Sequence, residues 1–242
     1  MKKLLVYVHG FGGSKYESRF GKALAHEFLA TKNVEIWRPR WGAGDPGISA
    51  WKTTLEFLEN TIKHGPSGVI KEIMKLFGGG SKIEKAFLDA QAVGRVFGAL
   101  LGTKLLPEKI ETNRYDKIAI IGFSLGTECT IHGMAVLPKK YFDLLTHVIL
   151  CGGTVNSRLG ILGERRNHLK GKVFNFYSKE DRILQLLFQK VAGFSWKPAG
   201  LYPLEDSSLG KSYRLNVGHF EYERALPNIL GKSGLNKWIN SP

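Results

Sequence analysis

The segment KIAIIGFSLGTECTIHGMAVL, Lys117–Leu137, joins an apolar run to a helix-like pattern through G-F-S-L-G. A serine on such a turn can attack an acyl carbon. It then needs a histidine base, a carboxylate to orient that base, and two N–H donors for the oxyanion. In this nucleophile elbow Gly122 and Gly126 are required, because a side chain at either would strike the neighbouring strand or helix. Ser124 is the candidate nucleophile. In a chain with 29 glycines the pattern also arises by chance, and the competing reading is a glycine-packed junction. The partners decide between the two.

An early apolar run ends in HGFGGS, residues 9–14. Such a step after a first strand is where this architecture takes one oxyanion donor, here the backbone N–H of Phe11. The other is the N–H of Leu125, directly after the serine. His9 reads as a loop-holding residue rather than the base, with Gly10 beside it. The acid is expected after the serine, past a later strand, and KVFNFYSKEDRIL supplies Asp181 there. Glu180 is the neighbour to exclude and Asp206 a more distant alternative; an acid in this position is also a common helix N-cap. The base is expected after the last strand, where SYRLNVGHFEY supplies His219. His26 and His132 fall within helices, His64 and His168 near loops, and His147 at a strand start. The order Ser124, Asp181, His219 is the one found on α/β-hydrolases. This chemistry calls for no metal and no cofactor.

These residues need strands that end on one edge of a sheet. Strand-like segments are expected at Leu4–Val8, Val34–Pro39, Ile118–Ile121, Val148–Cys151, Val173–Tyr177 and Tyr213–Val217. Helices are expected at Phe20–Ala30, Trp51–His64, from Thr127 to Leu137, and around Glu221–Leu230. Their alternation predicts an α/β fold: a mostly parallel central sheet with helices on both faces, in a single domain spanning 1–242. A helical insertion at about 65–114 interrupts that plan before the nucleophile strand. It holds an apolar stripe (Val69, Ile70, Ile73, Met74, Phe77), a glycine hinge at Gly78–Gly80, and a long small-residue-rich helix beginning near Asp89. The stripe reads as a core face, with a lid or membrane-facing helix as the alternative.

Composition narrows the classes. At 242 residues, 43% hydrophobic and 23% charged, the chain has the make-up of an ordinary globular protein. The apolar stretch of MKKLLVYVHG stops at His9, short of the roughly 7–15 residues of a signal core. No run approaches the ~18 apolar residues of a membrane span. A cytoplasmic location is expected, with peripheral membrane association or signal-independent export as alternatives. Cys129 and Cys151 read as buried thiols rather than a disulfide. The formal net charge of +14 favours anionic partners. The basic residues are spread along the chain and form no nucleic-acid motif, so solubility and diffuse attraction to anions are the plain reading, an anionic membrane surface is the alternative partner, and no specific nucleic acid is expected.

The chain resembles the α/β-hydrolase superfamily over nearly its whole length. Within it, the chain is similar to the hydrolase-like proteins related to transmembrane and coiled-coil domain-containing proteins, a family largely of unknown function. GFSLGT, ILCGGTVN, NFYSKEDRIL, VAGFSWKPAGL, GHFEY and the block AVGRVFGALLG carry the likeness. The resemblance implies an α/β-hydrolase fold with Ser124, Asp181 and His219 as a triad. The expected activity is a serine hydrolase cleaving carboxylic esters, of the lipase or esterase type and directed at acyl lipids. A thioesterase or acyltransferase would use the same triad, and a non-catalytic binding protein would use the same fold.

Overall fold

A computed structural model of the chain describes residues 1–10, 19–28, 31, 33–41, 80–191 and 197–241. The expected helix Trp51–His64, the stripe Val69–Phe77, Phe11 and the GFSW part of VAGFSWKPAGL lie outside these residues. Among the described residues six strands form one sheet: β1 (Lys3–Val8), β2 (Val34–Trp37), β3 (Lys117–Phe123), β4 (Leu145–Cys151), β5 (Val173–Ser178) and β6 (Gly210–Leu215). They run in the order β2-β1-β3-β4-β5-β6, and every pairing is parallel. Among the described residues the α-helices are α1 (Arg19–Phe28), α2 (Gly80–Leu100), α3 (Leu106–Asn113), α4 (Gly126–Val136), α5 (Arg166–Leu169), α6 (Arg182–Val191), α7 (Leu226–Ser233) and α8 (Leu235–Asn240).

Strand side chains alternate between two cores, as the period of two requires. Leu4, Val6 and Val8 of β1 and Ile118 and Ile120 of β3 face a core completed by Leu101, Cys129, Ile131, Met134 and Leu184 from the helices. Leu5, Tyr7, Ala119, Ile121 and Phe123 face the other, completed by Leu24 of α1, Leu226 and Ile229 of α7, and Trp238 of α8. Burial on both faces explains why these strands read as continuous apolar runs rather than alternating ones. The architecture is the expected α/β-hydrolase fold.

Several boundaries differ from the sequence expectation, most of all in and after the last strand and in the insertion. β6 begins at Gly210 rather than Tyr213, because a Cβ at Gly210 would lie 1.7 Å from the Val173 carbonyl oxygen and only glycine can enter that ladder. β6 stops at Leu215, and its successors turn away to form the site. The last helical region is split: a 3₁₀ turn at His219–Glu221 is followed by α7, with Pro227 in its first turn, where a missing N–H costs nothing. The long helix in the insertion is present as α2, and its described part does not stand off the fold. It packs across α4, and a π turn at Leu101–Leu105 leads into α3. Pro107 accounts for that turn, since it has no N–H to return to the Thr103 carbonyl.

Candidate active site

Strand order reverses between β1 and β3: β2 is laid down on one side of β1 and every later strand on the other. The C-terminal ends of strands flanking such a switch point enclose a crevice, the usual ligand site of parallel sheets. His9 and Gly10 follow β1, and Ser124 follows β3.

Ser124 has φ +52°, a left-handed conformation that costs a non-glycine residue about 1–3 kcal/mol. The surroundings impose it. The Ser124 N–H donates to the Cys151 carbonyl at 2.9 Å, and the Ser124 carbonyl accepts the Thr127 hydroxyl at 2.7 Å. A Cβ at Gly126 would lie 2.1 Å from the Val8 carbonyl oxygen, and one at Gly122 2.6 Å from the Thr130 hydroxyl. Strand, turn and helix therefore close up only with glycine at both positions. Gly10 is as tight, since a Cβ there would meet the Ser124 Cβ at 2.8 Å. Leu125 heads α4, where the first backbone N–H groups lack intrahelical partners.

The Ser124 hydroxyl donates to His219 Nε2 at 2.9 Å, and His219 Nδ1–H donates to Asp181 Oδ2 at 2.7 Å. Ser124 and His219 are each 8% exposed and Asp181 is fully buried. With a carboxylate on Nδ1 the imidazole carries its proton there, leaving the Nε2 lone pair toward the serine. Asp181 has a second duty: its Oδ1 accepts the Leu184 N–H at 3.0 Å, at the start of α6. The helix cap and the histidine partner are the same carboxylate, held by the positive end of a helix. Ring contacts with Phe123 at 5.4 Å and Phe220 at 5.6 Å, centroid to centroid, hold His219 in place. Glu221 ties the base turn by accepting the Gly218 N–H at 2.9 Å.

The alternatives go elsewhere. Glu180 is exposed and 3.6 Å from Arg214. Asp206 pairs with Arg166 at 2.6 Å, and the Ser208 hydroxyl and Arg166 hold its carboxyl down at about 2. His9 donates from Nδ1 to the Gly10 carbonyl at 2.7 Å, and its ring stacks on Trp41. Burial lowers its basicity, with the Gly10 bond working the other way. Among the described residues no cluster of three His, Cys, Asp or Glu could hold a metal.

A family model for a protein of unknown function, DUF726, matches residues 52–236. The chain belongs to this family. No curated protein matches the sequence. Among solved structures, the chain is similar to a cutinase-like protein from Cryptococcus sp. at 11% identity and TM-score 0.45, covering 100% of this chain and 97% of that one. It is also similar to an α/β hydrolase enzyme from a lagoon-sediment metagenome, at 11% identity and TM-score 0.42, covering 98% and 90%. A lipase-esterase related protein from Clostridium acetobutylicum is similar at 11% identity and TM-score 0.39, covering 98% and 94%.

Several residues that no motif marks hold this member of DUF726 together around Ser124. The Thr127 hydroxyl, besides its bond to Ser124, accepts the Thr154 N–H at 3.1 Å, joining the elbow to the loop after β4. Glu128, 2% exposed in the first turn of α4, accepts Gln91 Nε2–H at 3.0 Å. It also lies 3.6 Å from Arg95 and 3.5 Å from His132. Gln91 and Arg95 come from α2, so a polar contact fixes the seat of α2 on the elbow helix. An acid three to four residues after a nucleophile candidate, facing an arginine in a small-residue helix, was the available signal.

Proposed function

We propose that the chain is a serine hydrolase that cleaves carboxylic esters through an acyl-enzyme. The observation that carries this reading is the unbroken hydrogen-bond chain from the Ser124 hydroxyl through His219 to Asp181, with Ser124 on a left-handed turn. In the proposed reaction, His219 Nε2 takes the hydroxyl proton as Ser124 Oγ attacks the ester carbonyl. Asp181 stabilises the imidazolium, and the oxyanion rests on the N–H groups of Leu125 and Phe11. His219 returns the proton to the leaving alkoxide. It then deprotonates the water that releases the carboxylic acid and restores the serine.

A non-catalytic binding role on the same fold is less well supported, because such proteins lose a member of the triad and this chain retains all three. The acyl-lipid preference is supported by α2, whose Leu88, Val93, Val96 and Leu100 are exposed, and by the net charge of +14, which suits an anionic membrane surface. Among the described residues no helix is long and apolar enough to cross a membrane. A fluorophosphonate probe tests the nucleophile: wild type labels and Ser124→Ala does not. Labelling that survives the substitution defeats the assignment. A chain-length series of p-nitrophenyl esters then reads the substrate class, and an optimum at acetate removes the acyl-lipid preference.

A further inference from the structure

Asp181 and His219 come from different strand ends, and their 2.7 Å contact depends on how those ends are held together. Ser178 is the last residue of β5 and is fully buried. It pairs with Leu215, where β6 also ends. Beyond that pair the ladder stops, and the Ser178 hydroxyl carries the connection onward. Its Oγ accepts the Glu180 N–H at 3.1 Å and the Val217 N–H at 3.3 Å. Glu180 directly precedes Asp181, and Val217 stands two residues before His219. The rest of Ser178 is pinned as well: its N–H donates to the Gly200 carbonyl at 2.9 Å, and its carbonyl accepts the Asp181 N–H at 3.4 Å.

We propose that Ser178 is a positioning residue that sets the Asp181–His219 contact by tying the acid turn to the base loop through one oxygen. Its catalytic consequence rests on the triad reading above. Two backbone donors converge on a buried point from two segments, and one small group with two lone pairs is needed to receive both. A hydroxyl does this in the volume of a serine. Alanine leaves both N–H groups without that acceptor, and the two loops are then free to part. Threonine keeps the oxygen. Cysteine keeps the size but offers a weak acceptor.

The test reads the contact itself, by ¹H–¹⁵N spectra of histidine-labelled protein in wild type, Ser178→Ala, Ser178→Cys and Ser178→Thr. In wild type the proton on His219 Nδ1, bonded to Asp181 at 2.7 Å, is expected to resonate well downfield of the amides and to exchange slowly. In the alanine and cysteine variants that resonance is expected to disappear through exchange, and in the threonine variant to persist. Fluorophosphonate labelling of Ser124 should slow about tenfold or more in the first two, because small misplacements near reacting groups are costly. An unchanged resonance in the alanine variant, whatever its melting temperature, overturns the proposal. So does its loss in alanine but not in cysteine, because packing and not the acceptor would then be the cause. The hydrolase reading fails separately: a wild type that resists labelling, with the resonance still lost in Ser178→Ala, removes the chemistry and supports the tie.

Discussion

Asp181→Asn separates geometry from proton placement, and the structure predicts which way the new amide must face. Oδ1 of Asp181 accepts the Leu184 N–H at 3.0 Å, and Oδ2 accepts His219 Nδ1–H at 2.7 Å. An asparagine has one acceptor and one donor end. Turning its NH₂ toward Leu184 would set donor against donor in a buried site, so its oxygen stays at the helix cap and its nitrogen faces His219. His219 Nδ1 must then accept, which moves the imidazole proton to Nε2. The lone pair that should receive the Ser124 proton is gone, although no atom has moved far. In enzymes with this triad the wrong tautomer costs about 10⁴ in kcat, equivalent to roughly 5.4 kcal/mol in the barrier at 1.36 kcal/mol per decade.

Stability should change far less, because the cap survives and one charge-assisted bond becomes a neutral one, at about 1–2 kcal/mol. Asp181→Ala, by contrast, removes the cap and leaves His219 Nδ1 without its acceptor, so the melting temperature falls along with activity. Hydrolysis of p-nitrophenyl butyrate and the fluorophosphonate labelling rate measure the first effect, and thermal unfolding measures the second. An Asp181→Asn protein that melts like wild type and works within tenfold of it would show that the tautomer of His219 does not govern activity. Glu180→Gln is the companion control: its exposed carboxylate should matter less than twofold.

Four further outcomes are expected. Gly102→Ala should destabilise by about 1–3 kcal/mol in urea unfolding, because its Cβ would lie 2.1 Å from the Gly133 carbonyl oxygen and force α2 from α4. Gly231→Ala, in the open interior of α7, should instead stabilise by about 0.4–1 kcal/mol. Burial lowers His147 from 6.5 to about 4, against the opposing effect of a bond to the Ser233 backbone. Between those values the unfolded chain binds a proton the native state refuses. Stability is therefore full above about pH 6.5 and lost toward pH 4, by about 3 kcal/mol at most, and His147→Gln should flatten that limb. Vesicles with anionic lipid should bind the protein at low salt and release it at high salt, more weakly for the Val96→Ser/Leu100→Ser double variant; no binding at low ionic strength removes the membrane proposal.

Strand ends were the legible part of this molecule. Ile118–Ile121 and Val148–Cys151 could be read because burial on both faces leaves an apolar run that little else produces. Ser124 could be read because it follows such a run, and Asp181 and His219 because each comes just past a strand at the same edge, where parallel strands leave the sheet. The unread part depends on contacts between segments distant in the chain. Gly210 enters the ladder early for want of a side chain, and nothing in its own neighbourhood in the sequence says that the Val173 carbonyl lies against it. Glu128 looks like a surface acid in a helix until Gln91 and Arg95 arrive from α2. Asp181 was expected to be a helix cap or a histidine partner, and those alternatives proved not to exclude each other, because a carboxylate has two oxygens and the fold uses both. The same economy holds at Ser178, whose single oxygen serves two loops. A motif names the groups that could do chemistry, whereas the groups that hold them in place are ordinary serines and threonines whose meaning lies only in what faces them.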